Sequence, residues 1–286
     1  MTVKEKSIGT RPKKENHSLL AFIGYGHLGK FLIEKLRERP DEYEVVKVWN
    51  RTRDSENGVE SLENIDAGAL KSLDLVIEVA HPNIIETYGE LILEHADLFI
   101  GSPTCLASQD LLDKLTKKSL ALKRKVLVPA GAFWGANDIR KMADLGSLKG
   151  LTVTMTKHPS SFKLNSPLKE INEEAKKETE KATVLFEGTV RDLCPLAPNN
   201  VNTMAGAAIA ASNLGFYGVV ARLVSDPKMT DWHIVEVKVE GPDGFEVTTV
   251  RKNPAKPGAV TGQLTYYSFF SSIQESRYKP FGVHLC

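Results

Sequence analysis

Leu19-Leu20-Ala21-Phe22-Ile23-Gly24-Tyr25-Gly26-His27-Leu28-Gly29 is the stretch whose reading decides the fold. An apolar run ends in three closely spaced glycines, and the amphipathic segment 28–37 begins at once. The order is strand, tight turn, helix. In that setting the glycines make the turn and let a pyrophosphate approach the N–H groups of a helix N-terminus, as in a dinucleotide-binding βαβ unit. Without the flanking strand and helix, a three-glycine pattern carries little information. Gly24, Gly26, His27, Leu28 and Gly29 are therefore the first candidate cofactor contacts, with the His27 side chain directed to solvent.

Outward from this turn, apolar runs alternate with amphipathic ones. Segments 44–49, 73–79, 98–101 and 125–128 read as strands, and 83–95 and 110–118 read as helices, up to the turn Pro129-Ala130-Gly131-Ala132. That rhythm specifies an α/β fold with a parallel sheet, an N-terminal Rossmann dinucleotide-binding domain over 18–135. Residues 1–17 lack hydrophobic periodicity and read as a flexible N-terminal arm. After Trp134 the texture changes to an α+β pattern over 136–258: a strand at 151–156, a charged segment at 170–181, and a buried helix of small residues at 201–214. Strands at 233–239 and 245–250 flank Gly241-Pro242-Asp243-Gly244, a hairpin signal. Within 259–286, an apolar and aromatic run through Phe270 is expected to form a helix that returns to complete the first domain.

Composition narrows the partners. The 286 residues are 42% hydrophobic, enough for two cores, and 37 basic against 36 acidic residues leave no electrostatic footprint for nucleic acid or an anionic membrane. A small-molecule partner is expected. No run approaches the length of a membrane span, and the N-terminus lacks a signal-peptide core, so the expected location is cytoplasmic. Cys105, Cys194 and Cys286 are odd in number and widely spaced, which fits neither a disulfide framework nor a zinc site, and no metal is expected.

The second strand ends in Trp49-Asn50-Arg51-Thr52-Arg53, where an acid usually meets the adenosine ribose. Asn50 and Arg51 suit a ribose 2′-phosphate, so the cofactor is NAD or NADP, with NADP favoured, unless the arginines are solvated loop charges. Ligands bind at the carboxyl ends of such strands. Ala80 and His81 after one strand, and Ser102 and Thr104 after the next, are accordingly candidate contacts for the cofactor or the substrate.

Four further segments, in order and with approximate spacing, resemble the aspartate dehydrogenase family. They are Gly101-Ser102-Pro103-Thr104, Gly131-Ala132-Phe133-Trp134-Gly135, Pro198-Asn199-Asn200-Val201-Asn202, and Asp226-Pro227 followed by His233. The resemblance runs from about residue 19 to 272. It implies a C-terminal α+β catalytic and dimerisation domain, a homodimer, nicotinamide contacts from the backbone of Ala132 and from Asn202, and His233 as the catalytic residue. The implied enzyme is an NAD(P)-dependent oxidoreductase acting on the CH–NH2 group, converting L-aspartate to iminoaspartate and then to oxaloacetate and ammonia. This chain departs from the family pattern at Asn50-Arg51 and at Trp232, which precedes the histidine.

That chemistry needs a deprotonated amine, loss of hydride from Cα and attack of water on the imine. Histidine suits it, because its ordinary pKa of about 6.5 allows proton transfer both ways near neutrality. Two other functions stay open. Cys105 near a helix N-terminus is the expected nucleophile of a semialdehyde dehydrogenase, and a non-catalytic NAD(P)-binding sensor or scaffold would keep the fold without turnover. The residue that holds the substrate carboxylates is undecided among Lys157, Arg191, Arg222 and the neighbourhood of Thr104.

Overall fold

Strand β1 (Ser18–Ile23) lies inside a seven-stranded sheet, and its last four residues are fully buried because both faces are covered. The computed structural model describes residues 17–260 and 262–286. The arm expected over 1–17 falls, apart from His17, outside the described residues. From β1 the chain runs through α1 (His27–Arg37), β2 (Tyr43–Asn50), the short β3 (Glu60–Ser61), α2 (Ala67–Leu70), β4 (Leu75–Glu78), α3 (Asn83–His95), β5 (Asp97–Ile100), α4 (Gln109–Leu122) and β6 (Lys125–Val128). With β12 (Gly282–Leu285) from the end of the chain, the sheet order is β12-β6-β5-β4-β1-β2-β3, with every pair parallel, the arrangement of a Rossmann domain.

Helix α1 forms because Gly29, Leu32, Ile33 and Leu36 fall on one buried stripe, while Lys35 and Arg37 place positive charge at its carbonyl end. Its entry is set by glycine geometry. Gly24 has φ +117, and a Cβ added to Gly29 would sit 2.2 Å from the Gly24 carbonyl oxygen. Strand, turn and helix therefore approach more closely than any side chain permits.

The chain then passes through α5 (Ala136–Asp144), β7 (Gly150–Lys157), α6 (Leu168–Ala175), β8 (Thr183–Thr189), α7 (Val190–Leu193), α8 (Asn202–Ala210), α9 (Gly215–Gly218), β9 (Val220–Ser225), β10 (Trp232–Glu240) and β11 (Glu246–Pro254). These strands build a second sheet in the order β11-β10-β7-β9-β8, antiparallel except for β7 with β9. Along β7 and β10 burial alternates with period two, so Leu151, Val153, Met155 and Lys157 share a covered face with His233, Val235, Val237 and Val239. The buried helix α8 is shorter than the 201–214 expected, because the backbone leaves helical geometry at Ala211 (φ −85, ψ 57).

The C-terminal segment returns to the first sheet as more than a helix. α10 (Gln263–Glu275) packs on α1, where Phe31 meets the rings of Tyr266 and Tyr267, and β12 (Gly282–Leu285) then adds an edge strand beside β6. Cys286 accepts a hydrogen bond from the Ala130 N–H at 2.7 Å, so the chain end braces the turn at 129–132.

Gly29→Ala is expected to cost about 2 kcal/mol or more in urea unfolding, since its methyl has no space. Gly26→Ala, where a Cβ meets nothing within 4 Å, is expected to keep stability and lose cofactor affinity in a fluorescence titration.

Candidate active site

At the carboxyl end of β4 the first sheet carries a buried acid. Glu78 is fully buried and accepts from the Ala80 and His81 N–H groups at 2.6 and 2.8 Å and from the Ser102 N–H and hydroxyl at 3.0 and 3.1 Å. Burial pushes its carboxyl up to about 7 against the pull of those donors. One side chain thus ties the loop after β4 to the loop after β5.

Between these loops and the second sheet lies a cavity of about 400 Å³. Its lining brings together Gly26, His27, Leu28, Ala80, Ser102 and Ala132 from the first unit with Asn202 and His233 from the second. The turn carrying Ala132 is held from across the gap, because the Arg251 guanidinium on β11 donates to the Gly131 carbonyl at 3.0 Å. Gly24 and Gly29 shape the turn from behind. Asn50 and Arg51 stand apart at the end of β2, where Asn50 donates to the Thr52 carbonyl and Arg51 is exposed.

The second sheet contributes a row of polar side chains. His233 pairs with Asn253 across β10 and β11, and Lys157 follows Thr156, the partner of Ile234, on β7. All three line the cavity. His233 is 4% exposed, and its Nε2 is buried without a protein partner among the described residues, as are Oδ1 of Asn202 and Oδ1 of Asn253. Orphaned buried polar atoms are costly, and here they border a cavity that a ligand with donors and acceptors would fill. The turn left open at Gly26 and these unpaired groups fit a nicotinamide dinucleotide.

Burial, reinforced by the Lys157 charge, lowers His233 to about 4, and a hydrogen bond to the Ala259 backbone works the other way. Burial alone brings Lys157 down to about 8. Its ammonium donates to the Val260 carbonyl at 3.2 Å and to the Asn200 carbonyl at 3.5 Å. The ring is therefore a neutral base at physiological pH, next to a buried cation.

Several sequence expectations are corrected. Thr104 does not face this cavity: it is buried, its hydroxyl donates to the Pro198 carbonyl at 2.9 Å, and it lines a neighbouring cavity of about 720 Å³. His81 lines that second cavity as well, where its Nδ1 accepts from the Asn83 N–H. Trp232 is 42% exposed and, by strand alternation, lies on the opposite face from His233, so it does not shape the pocket. Cys105 is buried, and burial with the charges of Glu78 and Glu86 pushes its thiol far up, the reverse of an activated nucleophile. Of the cations left open, Arg222 pairs with Glu187 at the surface and Arg191 lines the second cavity, whereas Lys157 is in the site. Sequence reading missed Glu78, Asn253 and the placement of Lys157. An acid ending an apolar strand was the one available signal for Glu78. Among the described residues no group of acids, histidines and cysteines is placed to hold a metal.

Comparison with known proteins agrees with this arrangement. Residues 24–129 match the family profile described as homoserine dehydrogenase, NAD binding domain, and residues 138–276 match that of aspartate dehydrogenase, C-terminal. A Danio rerio aspartate dehydrogenase domain-containing protein is 44% identical over 93% of this chain and 98% of its own. An L-aspartate dehydrogenase of Methanococcus maripaludis is 27% identical over 90% of this chain and 96% of its own. The crystal structure of aspartate dehydrogenase from Thermotoga maritima shares the fold, with a TM-score of 0.67 at 20% identity, covering 92% of this chain and 96% of that one. Near-complete coverage at this identity, over a glycine turn and a buried histidine facing one cavity, means that the chain belongs to the aspartate dehydrogenase family of NAD(P)-dependent oxidoreductases.

Proposed function

We propose that this protein is an L-aspartate dehydrogenase that prefers NADP(H), with His233 as the acid/base. The observation that carries the reading is the shared cavity: the unpaired His233 Nε2 and Asn202 Oδ1 border the same space as the Gly26–His27–Leu28 turn. Asn202 and the Ala132 backbone are the proposed contacts to the nicotinamide, Ala80 and Ser102 border it, and the glycine turn receives the pyrophosphate. Held by these residues, the nicotinamide would supply the acceptor for the hydride lost from the substrate Cα. His233 then takes a proton from the water that attacks the resulting imine, and returns it as ammonia leaves. Lys157, Asn253 and Val235 line the cavity beside this histidine on the same sheet face and orient it toward the reacting carbon.

The preference for NADP(H) rests on the end of β2, where exposed Arg51 and Arg53 follow Asn50 and no acid stands in the Trp49–Arg53 stretch. A homodimer is also proposed. The open face of the second sheet carries Trp232 and Val250, the latter 55% exposed, and supports a sheet-to-sheet contact between two copies. A cytoplasmic location fits three unpaired cysteines.

Oxidation of NADPH, and separately of NADH, in the presence of oxaloacetate is expected to require ammonium and to fall at least about a hundredfold in His233→Ala. Cofactor binding without turnover on any amino acid would favour the sensor reading. Arg51→Asp is expected to shift the NADPH to NADH ratio of kcat/KM by about tenfold or more toward NADH.

His233 also predicts a pH effect on stability. The unfolded chain binds this proton at about 6.5, and the folded chain only at about 4. The unfolded state therefore holds more protons between these values, and stability is lost as pH falls through that window. Denaturation curves of the ligand-free protein are expected to show a shallower loss over it in His233→Asn.

A further inference from the structure

Among the described residues, the cavity beside His233 is lined by two lysines, Lys157 and Lys163, and by no aspartate or glutamate. Among the described residues no carboxylate pairs with either. The two differ in depth. Lys157 is 3% exposed, whereas Lys163 is exposed and, together with Asn199, also lines the second cavity, so it stands where the two spaces adjoin.

Both are fixed to one post. The Asn200 carbonyl accepts from the Lys157 ammonium, the Asn200 Oδ1 accepts from the Lys163 backbone N–H at 2.8 Å, and the Asn200 Nδ2 donates to the Ser161 carbonyl at 3.2 Å. Asn200 is itself buried, so the loop between the two lysines is pinned at both ends to the segment that leads into α8. An ammonium has three donors, and Lys157 uses two on backbone carbonyls. One buried ammonium and a second lysine whose backbone is anchored to the same residue, in a cavity with no acid among its described lining residues, complement a ligand with two negative groups.

We propose that Lys157 and Lys163 form a two-point clamp for a dicarboxylic substrate, Lys157 taking the carboxylate beside the reacting carbon and Lys163 the distal one. The assignment follows from position: Lys157 neighbours His233 on the adjoining strand, and Lys163 is exposed where the two cavities adjoin. It rests on the proposed dehydrogenase reading and specifies which residues select its substrate. A carboxylate against Lys157 also cancels the positive charge that bears on His233, so substrate binding itself makes the ring a better base.

The test compares wild type, Lys163→Met and Lys163→Arg in the reductive amination of oxaloacetate and of pyruvate, which lacks the distal carboxylate. Lys163→Met is expected to lower kcat/KM for oxaloacetate about tenfold more than for pyruvate, and Lys163→Arg to recover most of the difference. Equal losses for the two acids, no loss, or a rise in cofactor KM with an unchanged oxaloacetate to pyruvate ratio overturns the clamp. Calorimetric titration of the cofactor-saturated protein with succinate and with propionate decides the matter even where wild type turns over neither acid. Succinate binding about tenfold weaker in Lys163→Met, with a smaller change for propionate, upholds the clamp while the reaction assignment fails. Succinate binding that does not change with the substitution removes it.

Discussion

The carboxylate of Glu78 is the contact on which the geometry of the site depends. It sits inside the sheet where β4 ends, and its four hydrogen bonds fix the first residues of two successive βα loops. Those loops place Val79, Ala80, Gly101 and Ser102 along one wall of the cavity. Removing the acid would leave the donors buried and unpaired, at about 1–3 kcal/mol each. Gln in its place would turn an amide N–H2 toward groups that are themselves donors. The backbone follows the same constraint, since a side chain on Gly101 would meet the Glu78 carbonyl at 2.5 Å.

The opposite wall obeys a different rule. On the second sheet, Lys157, His233 and Asn253 occupy neighbouring strands on the covered face, where an ordinary core would place apolar residues such as the nearby Met155 and Val235. Each loses water on folding and is incompletely repaid by protein partners. The result is a neutral histidine and a weakened ammonium, both poised to gain from a bound anion. Local stability is given up where binding recovers it, the usual signature of a functional site.

Much of the fold was legible in the sequence, and less of the site. The glycine turn could be read because strand, turn and helix signals coincide within residues 19–37. The hairpin of β10 and β11 announced itself through Gly241-Pro242-Asp243-Gly244. β12 went unseen because it is only four residues long and gains its pairing from a strand over 150 residues earlier, beyond the reach of local pattern. The role of His233 came from resemblance, since a lone histidine at a strand edge carries no pattern of its own. Lys157 could not be separated from Arg222 by composition, because the difference between them is burial, set by which face of a strand is covered. The rule that ligands gather at strand ends led to this edge of the sheet, and Ala80 and Ser102 from it do line the cavity beside His233. Two cavities open there, and His81 and Thr104 belong to the other one.

The two ends of the proposed ligand assembly fall on residues that do not touch. In that proposal the cofactor's ribose end falls to Asn50 and Arg51 at the tip of β2, and the substrate end to Lys157 and Lys163 on the second unit. Residues without shared partners contribute nearly additively. On the proposed roles, exchange of Arg51 is expected to leave the pocket around His233 unchanged, and exchange of Lys163 to leave the pyrophosphate turn unchanged. The units are joined by the Arg251 bond to Gly131, by the Thr104 bond to Pro198 and by apolar packing of α8 on β12 and the 103–107 turn. In the proposed assembly, selection among cofactors and among acids falls on separate residues, while the relative placement of the two units is held by these bonds and this packing.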